Sequence, residues 1–470
     1  MSTLIRNGTI VTAQDEYIAD IFVVGEKITA IGKNLPMTAD QEIDAAGKFI
    51  LPGGVDQHTH FDALCNVGNR NTTGYEASVA GLVGGTTTIV DFAPQDPGCS
   101  MIDSIRYRKE YRAKPSVSVD YALHALVTEA SENILEEIPK LKDEGVSSIK
   151  LFTAYKGSPL YVDDAMLYRV FEESAKHGIT PFVHAENAYL IATLQKQLLS
   201  EGKTKPGYHA EAHPPFTESE AVERVIKIAD AANAPVCIVH ITCEEAVDVV
   251  KRAKAQNKPV FGETCTHYLI FTQDKLFQEE DLESAKYICT PPLRQERDQK
   301  VLWDSLNNGW LQVIASDHCG IGLADMKAKA LDDFTMIPNG SPGIGDRIPI
   351  LWTYGVSAGK MTRTKLVDVC STTPAKLNGI YPRKGHVGIG ADADLVILDP
   401  TYEGVVANED NPNGEDYNIY EGMKLSGRIE KVFLRGKLVV DNHKFIGTLG
   451  QGKFIPSDLF GLAYRTNTHN

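Results

Sequence analysis

The chain has 470 residues, of which 43% are hydrophobic and 23% are charged, a composition typical of a globular protein. Its formal net charge of -15 at pH 7 disfavours binding to nucleic acid or to an acidic membrane and favours a small, roughly neutral substrate. No run approaches the roughly 18 apolar residues that a membrane span requires. Residues 1–8 lack the features of a signal peptide, so we expect a cytoplasmic protein.

The two ends of the chain share one sequence pattern. Residues 1–48 contain short apolar runs separated by turn residues such as Asn7 and Gly25, which is typical of hairpin strands. Similar runs return at 395–398, 429–434 and 437–440. Neither end supplies enough strands for a stable sheet, so residues 1–50 and 380–470 are predicted to pair into one β-sandwich. The mostly polar tail beyond residue 450 either contributes to an oligomer interface or is loosely attached.

Eight apolar runs of strand length alternate with helix-length segments in the middle of the chain. This alternation predicts an α/β fold in which residues 51–379 form a (β/α)8 barrel. The active site of such a barrel lies at the C-terminal ends of its strands. The predicted strands are residues 49–55, 86–92, 119–127, 146–152, 179–184, 236–240, 260–264 and 311–315.

Metal-ligating residue types recur at the ends of these predicted strands. His58 and His60 are two residues apart, so both rings point to the same face of the first strand and can bind one metal ion. A single pair of this kind is more often two unrelated histidines. Lys150, His184, His240 and Asp317 end four later runs, however, and this repetition predicts a binuclear metal centre.

Lys150 is unusual because its neighbours describe a strand that is buried on both faces, where an unpaired ammonium would be costly. One interpretation is that its head reaches the barrel mouth and pairs with an acid. The other is that its amine has combined with carbon dioxide. The resulting carbamate is an anionic, two-oxygen ligand that can bridge two metal ions.

Two further residues are candidates for catalysis. Asp317 can accept a proton from an activated water and deliver it to a leaving nitrogen, although an acid at this position could also cap the next helix. Tyr155, five residues after Lys150, can donate its hydroxyl to a developing oxyanion, although a loop tyrosine is usually a packing residue.

Eight short motifs along the chain match one known family in sequence, order and spacing. They are residues 53–60, 84–88, 147–152, 183–187, 262–265, 290–294, 316–319 and 337–340. Jointly they make the chain similar, over almost its whole length, to the D-hydantoinase/dihydropyrimidinase family of cyclic amidohydrolases. The resemblance implies an enzyme that hydrolytically opens the ring amide of hydantoins or 5,6-dihydropyrimidines to N-carbamoyl amino acids.

The resemblance also implies a cofactor and an assembly. Two divalent metal ions, usually zinc, would be bridged by N6-carboxylated Lys150, and members of the family are commonly homotetramers. One ion would take His58, His60 and Asp317 in addition to Lys150, and the other His184 and His240. Tyr155 would stabilise the oxyanion, while Thr290 and Asn339 would hold the amide or imide edge of the ring, largely through backbone groups.

Two positions depart from the family pattern. Thr290 stands where members commonly have serine, which retains the backbone contact but not necessarily a side-chain role. Residues 62–70 are small and polar, whereas members often carry a more apolar segment there. This loop follows two ligands and is predicted to form one wall of the substituent pocket. Its composition favours a polar or small substituent over a large aromatic one.

Three alternatives to a hydantoinase remain. Allantoinases and dihydroorotases share the fold and the metal chemistry. Dihydroorotases typically carry arginine two residues after the second histidine, where this chain has Asp62, and this argues against an acidic ring substrate. A non-catalytic scaffold related to dihydropyrimidinase is the third alternative, and it is disfavoured because all six ligand positions are filled.

Overall fold

The computed structural model describes residues 1–63, 71–410 and 412–465. Within these residues the chain forms 18 strands and 15 α-helices, and none of these helices combines the length and apolarity needed to cross a membrane. The strands are β1 (Ser2–Val11), β2 (Glu16–Val24), β3 (Lys27–Gly32), β4 (Gln41–Asp44), β5 (Phe49–Pro52), β6 (Gly54–His60), β7 (Thr86–Pro94), β8 (Asp120–Leu126), β9 (Ser148–Phe152), β10 (Thr180–His184), β11 (Val236–Ile238), β12 (Val260–Cys265), β13 (Val313–Ala315), β14 (His318–Cys319), β15 (Leu395–Val405), β16 (Lys424–Leu434), β17 (Lys437–Asp441) and β18 (Lys444–Phe445).

Most of the helices follow the strands of the central region, as the alternation predicted. They are α1 (Ser78–Val83), α2 (Met101–Tyr107), α3 (Glu132–Glu137), α4 (Asp164–His177), α5 (Ala188–Ser200), α6 (Tyr208–Ala212), α7 (Pro215–Ala231), α8 (Glu244–Ala255), α9 (Thr266–Ile270), α10 (Asp281–Ala285), α11 (Glu296–Asn307), α12 (Arg347–Leu351), α13 (Arg363–Val367), α14 (Thr373–Leu377) and α15 (Leu462–Arg465).

A nine-stranded parallel sheet forms the centre of the molecule. Its order is β13-β12-β11-β10-β9-β8-β7-β6-β14, and seven of the predicted strands correspond to β7 through β13. The first and last members of this order, β13 and β14, are separated along the chain only by Ser316 and Asp317. The register pairs His318 with Thr59 and Cys319 with His60. Asp317 therefore lies beside the end of β6, which carries both histidines.

The prediction of one strand over residues 49–55 is wrong, because the chain changes sheet at Gly53. β5 pairs with β1 and β15, whereas β6 begins at Gly54 and pairs with β7. A Cβ at Gly53 would lie 2.0 Å from the Thr87 Oγ1 atom, so only glycine allows this close approach.

Both ends of the chain enter a single nine-stranded mixed sheet, which agrees with the expectation that the two ends pair with each other. Its order is β18-β17-β16-β15-β5-β1-β2-β3, with β4 pairing with β1. Side chains alternate between its two faces. Ile50 and Ile397 belong to an apolar cluster formed within the mixed sheet, while Leu51 and Val396 belong to the main core that it shares with the parallel sheet. The mixed sheet is therefore buried on both faces near β5.

Candidate metal centre and active site

One cavity of about 470 Å³ lies at the C-terminal ends of the parallel strands. This volume is in the range of small-molecule sites. The cavity brings together all nine residues that the sequence nominated, although they come from different strands and loops. They are His58, His60, Lys150, Tyr155, His184, His240, Thr290, Asp317 and Asn339.

His58, His60 and Asp317 form the first group of metal-ligating atoms. The Nε2 atoms of the two histidines each lie 3.2 Å from Asp317 Oδ1, and the three donors fall within 4.8 Å of one another. Burial alone would raise the pKa of the Asp317 carboxyl. Electrostatic interactions with the neighbouring His58 and His60 rings outweigh burial, however, and hold this pKa well below its ordinary value. Asp317 is therefore ionised, as a metal ligand must be.

Lys150 is the third residue of β9 and is fully buried. Among the described residues its Nζ atom has no hydrogen-bond partner, and the rings of Phe92 and Phe152 lie 4.9 and 5.0 Å away. The nearby charges of Glu263 and Asp317 act to raise the pKa of its amine, but neither carboxylate forms a hydrogen bond with it. Burial lowers the pKa of its amine to about 8. A neutral amine is the form that can combine with carbon dioxide.

His184 and His240 form the opposite wall of the same space. His184 is the last residue of β10, and His240 follows β11 by two residues. Their rings meet edge to face with centroids 4.4 Å apart. The Nδ1 atom of His240 is buried and has no hydrogen-bond partner among the described residues. Burial lowers the pKa of both rings, so both are neutral and can act as ligands.

Two buried carboxylates orient the histidines, and the sequence analysis assigned no role to either. Glu263 Oε1 lies 2.6 Å from His58 Nδ1, and Glu186 Oε2 lies 2.6 Å from His184 Nε2. The second oxygen of Glu186 lies 2.9 Å from the Nδ1 atom of His213. Carboxylates that hold one nitrogen of a ring leave the other nitrogen for a metal. A signal existed for Glu263, since an acid inside the apolar strand β12 is as anomalous as Lys150.

Three of these residues adopt left-handed backbone conformations that side chains normally avoid. The φ angles are 61° at Tyr155, 40° at His240 and 51° at Asp317. Each such residue costs on the order of 1–3 kcal/mol and persists only where its surroundings fix it. These backbone conformations place the three side chains at the cavity, and sequence patterns gave no indication of them.

A second part of the cavity wall contains none of the four clustered histidines and is formed by Tyr155, Thr290 and Asn339. Burial keeps the pKa of the Tyr155 hydroxyl above its ordinary value and outweighs the side chains of Asn339 and Thr290, which act to lower this pKa. Tyr155 therefore retains its proton at neutral pH and can donate it in a hydrogen bond to a ligand.

The donor set fits divalent transition metals. Four imidazoles and one carboxylate converge around a buried amine, and imidazole ligands favour zinc and related ions over calcium or magnesium. Two buried nitrogen atoms in this group, Lys150 Nζ and His240 Nδ1, have no partner in the described chain. Metal ligation would satisfy His240, and carboxylation would turn Lys150 from a misplaced cation into a ligand.

Comparisons with known proteins agree with this geometry. Residues 49–439 match the Amidohydrolase family. The D-hydantoinase of Ralstonia pickettii is 40% identical over 97% of this chain and 98% of its own length. The D-hydantoinase of Geobacillus stearothermophilus is 40% identical over 98% of both chains.

The chain belongs to the D-hydantoinase/dihydropyrimidinase family of amidohydrolases. The crystal structure of dihydropyrimidinase from Brevibacillus agri NCHU1002 superposes on this amidohydrolase with a TM-score of 0.95 and 40% identity, covering 98% of this chain and 100% of that one. The L-hydantoinase of Arthrobacter aurescens has a TM-score of 0.89 and 30% identity, over 97% and 99% of the two chains. Enzymes named for opposite enantiomers thus share this amidohydrolase fold.

The loop predicted to contact the ring substituent lies largely outside the described residues, which include only Asp62 and Ala63 of segment 62–70. Asp62 Oδ2 lies 3.3 Å from Arg112 Nε. The remaining wall of this amidohydrolase cavity is mixed. Leu126 and Leu160 are apolar, while Gln95 and Glu129 are polar.

Proposed function

We propose that this amidohydrolase opens the ring amide of hydantoins or 5,6-dihydropyrimidines to give N-carbamoyl amino acids. The observation that carries the proposal is the position of Lys150, whose buried amine has no partner and lines the same cavity as four histidines and Asp317. The family membership of the chain supports the same activity.

We propose that two divalent metal ions, of which zinc is the expected identity, bind here and share N6-carboxylated Lys150. His58, His60 and Asp317 complete one ligand set, and His184 and His240 complete the other. The histidines and the carboxylate match the ligand preferences of zinc. When bound, the metals supply an activated water and polarise the ring carbonyl.

The residues around this centre have separate roles in proton transfer, oxyanion stabilisation and substrate binding. Asp317 accepts the proton of the attacking water and delivers it to the ring nitrogen as the carbon–nitrogen bond breaks. Tyr155 donates a hydrogen bond to the carbonyl oxygen as negative charge develops on it. Thr290 and Asn339 hold the amide or imide edge of the ring. The products are a carboxylate and a ureido group, so one water is consumed for each ring opened.

The proposal also covers the domain organisation, the assembly and the location of the protein. The central strand order, which begins and ends on either side of Asp317, supports a closed (β/α)8 barrel spanning residues 51–379. Residues 1–50 and 380–470 would form a β-sandwich beside it. We further propose a homotetramer in the cytoplasm that acts on a small cyclic amide or imide, with no nucleic-acid or membrane partner. The charge of -15 supports the last point.

Allantoinase or dihydroorotase activity is the alternative within the same chemistry, and a non-catalytic scaffold is the alternative outside it. Asp62 occupies the position at which dihydroorotases typically carry an arginine to bind the substrate carboxylate. It is an acid and pairs with Arg112, so it cannot bind a carboxylate. The scaffold alternative is disfavoured because all six predicted metal-ligand positions line one cavity.

A rate comparison tests the proposal. Metal-loaded enzyme is assayed on hydantoin, 5-substituted hydantoins, dihydrouracil, allantoin and dihydroorotate, and its metal content is measured. We expect two metal ions per chain and the highest kcat/KM on a hydantoin or on dihydrouracil. A preference for allantoin or dihydroorotate would assign the alternative activity, and metal-loaded protein without turnover on any ring would support the scaffold.

A further inference from the structure

A second lysine, Lys327, is fully buried beside the candidate active site. Its Nζ atom donates to the backbone carbonyl oxygens of Ala285, Lys286 and Ile288 at 2.8, 3.4 and 3.3 Å. No carboxylate among the described residues forms an ion pair with it, and burial lowers the pKa of its ammonium to about 7. Lys327 therefore neutralises no acid among the described residues. Its side-chain hydrogen bonds are with one segment of backbone, and the centroid of the Tyr417 ring lies 6.0 Å from its Nζ atom.

That segment leads directly into the cavity. Cys289 and Thr290 follow it along the chain, and both line the cavity. Thr290 lines the cavity together with Tyr155 and acts to lower the pKa of the Tyr155 hydroxyl. The position of Thr290 is thus set by a stretch of backbone whose carbonyl groups Lys327 holds.

The same carbonyl groups also bind the loop that carries Asn339. Ser341 Oγ donates to the Lys286 carbonyl oxygen at 2.6 Å, and the Gly340 backbone N–H donates to the Ile288 carbonyl oxygen at 2.9 Å. Ser341 in turn accepts, through its backbone carbonyl, the N–H of Cys319 at 3.0 Å. Lys327 therefore lies at the junction of two loops, one carrying Thr290 and the other carrying Asn339.

The energetics favour a role for this ammonium beyond filling space. A buried cation without a counter-ion carries a desolvation penalty of several kcal/mol. A methionine of similar length would fill the same volume without that penalty. It could not donate to three carbonyl oxygens at once, as an ammonium can. Retention of a lysine is therefore explained by the geometry that it imposes on the three peptide groups.

We propose that Lys327 is a positioning residue that fixes the spacing between the loops that carry Thr290 and Asn339. This spacing determines how tightly the two residues bind the amide edge of the substrate ring. Lys327 does not line the cavity itself, so it acts only through these loops. The inference rests on the proposed function, in which Thr290 and Asn339 contact the ring.

The test is Lys327→Met in the full-length, metal-loaded enzyme. We expect KM for the preferred ring substrate to rise about tenfold while kcat at saturation falls less than about threefold, because an interaction equal in ground and transition states is weakened. Metal content stays at the wild-type value, since none of the six metal-ligand residues contacts Lys327. An unchanged KM, or a rise in KM accompanied by loss of metal, would overturn the proposal.

Lys254→Met is the matched control. Lys254 on α8 also donates to a backbone carbonyl, that of Val260 at 3.1 Å, and burial lowers the pKa of its amine to about 8. It is not among the residues that line the cavity. We expect its KM to stay at the wild-type value. Equal KM increases in Lys254→Met and Lys327→Met would assign the effect to loss of any lysine that donates to a backbone carbonyl and contradict a positioning role.

A milder variant covers the case in which Lys327→Met fails to fold. Ser341→Ala removes the contact between the Asn339 loop and the Lys286 carbonyl but leaves Lys327 in place. We expect KM to rise about threefold, with metal content and kcat retained. An unchanged KM in this variant contradicts the inference. Failure of the proposed function is distinguishable, because wild-type enzyme would then show no turnover on hydantoins or dihydrouracil.

Discussion

Lys150 and Lys384 are both fully buried ammonium groups, but they lie at opposite ends of strand β8. Lys150 pairs in register with Leu126, the last residue of β8. Lys384 contacts Asp120, the first residue of the same strand, at 2.5 Å, and also Asp394 at 2.6 Å and Asp392 at 3.0 Å. Lys384 thus has three carboxylate partners, whereas Lys150 has no hydrogen-bond partner among the residues that the structure describes.

The pKa values of the two amines diverge accordingly. Burial lowers the pKa of both groups. At Lys384 the charges of Asp394, Asp120 and Asp392 outweigh burial and raise the pKa above its ordinary value, while at Lys150 burial prevails and the pKa falls to about 8. In barrel enzymes the N-terminal ends of the strands serve stability and the C-terminal ends carry the chemistry. Under the proposed function the two lysines would follow that division, because Lys384 completes an ion cluster and Lys150 would react with carbon dioxide.

Removing the Lys150 amine should have the largest effect on activity. In Lys150→Ala we expect loss of both metal ions and a fall in turnover of more than about 10³-fold, because the shared ligand and the water-activating metals disappear together. The fold should be retained, since the amine makes no hydrogen bond within the described chain. Metal analysis and circular dichroism on protein grown without short carboxylic acids test this. Wild-type metal content and rate would refute the bridging role.

Asp317→Asn should have the next largest effect. The substitution removes the proton acceptor and weakens one metal site, so we expect turnover to fall about 10²- to 10⁴-fold while the buried strands around it stay folded. Rates across a range of pH are compared with those of Asp325→Asn, a control in which an exposed aspartate near Lys329 is neutralised. Near-normal turnover of Asp317→Asn at every pH would contradict its role as the proton shuttle.

Lys384→Met should affect stability and leave the chemistry intact. The substitution leaves three buried carboxylates without their shared cation, and breaking such a cluster costs about 3–5 kcal/mol. We expect a lower urea-unfolding midpoint with metal content and kcat per folded molecule unchanged. Normal stability with lost activity would contradict the assignment of stability to the N-terminal ends of the strands and of chemistry to their C-terminal ends.

The sequence predicted six residues that line one cavity and the alternation of strands and helices, because both depend on local patterns. His58 and His60 share a strand face through their spacing, and Lys150 stood out as an ion in an apolar strand. The break at Gly53 was not predicted, since it depends on contact with Thr87. Contacts between distant segments, such as that of Glu263 with His58, leave no periodicity in the chain. The same limit applies to the ion cluster around Lys384.

A substitution at Glu186 has the smallest expected effect, and it tests specifically whether the C-terminal ends of the strands carry the metal site. Glu186 lies only two residues beyond His184, yet its role depends on contacts with both His184 and His213. In Glu186→Gln the His184 ring loses its anionic partner, so we expect metal affinity to fall about 10- to 100-fold with the fold retained. Competition with a chelator measures this affinity directly.

Glu173→Gln provides a control with the same chemistry in a different environment. Glu173 Oε1 lies 3.0 Å from His177 Nε2 on α4, at the partly exposed surface away from the cavity. We expect this variant to bind metal as tightly as the wild type, because its carboxylate orients no ligand. If both variants lost affinity equally, the effect would come from net charge. If neither did, His184 would be held by packing against His240 and Phe152, whose ring centroids lie 4.4 and 5.2 Å away.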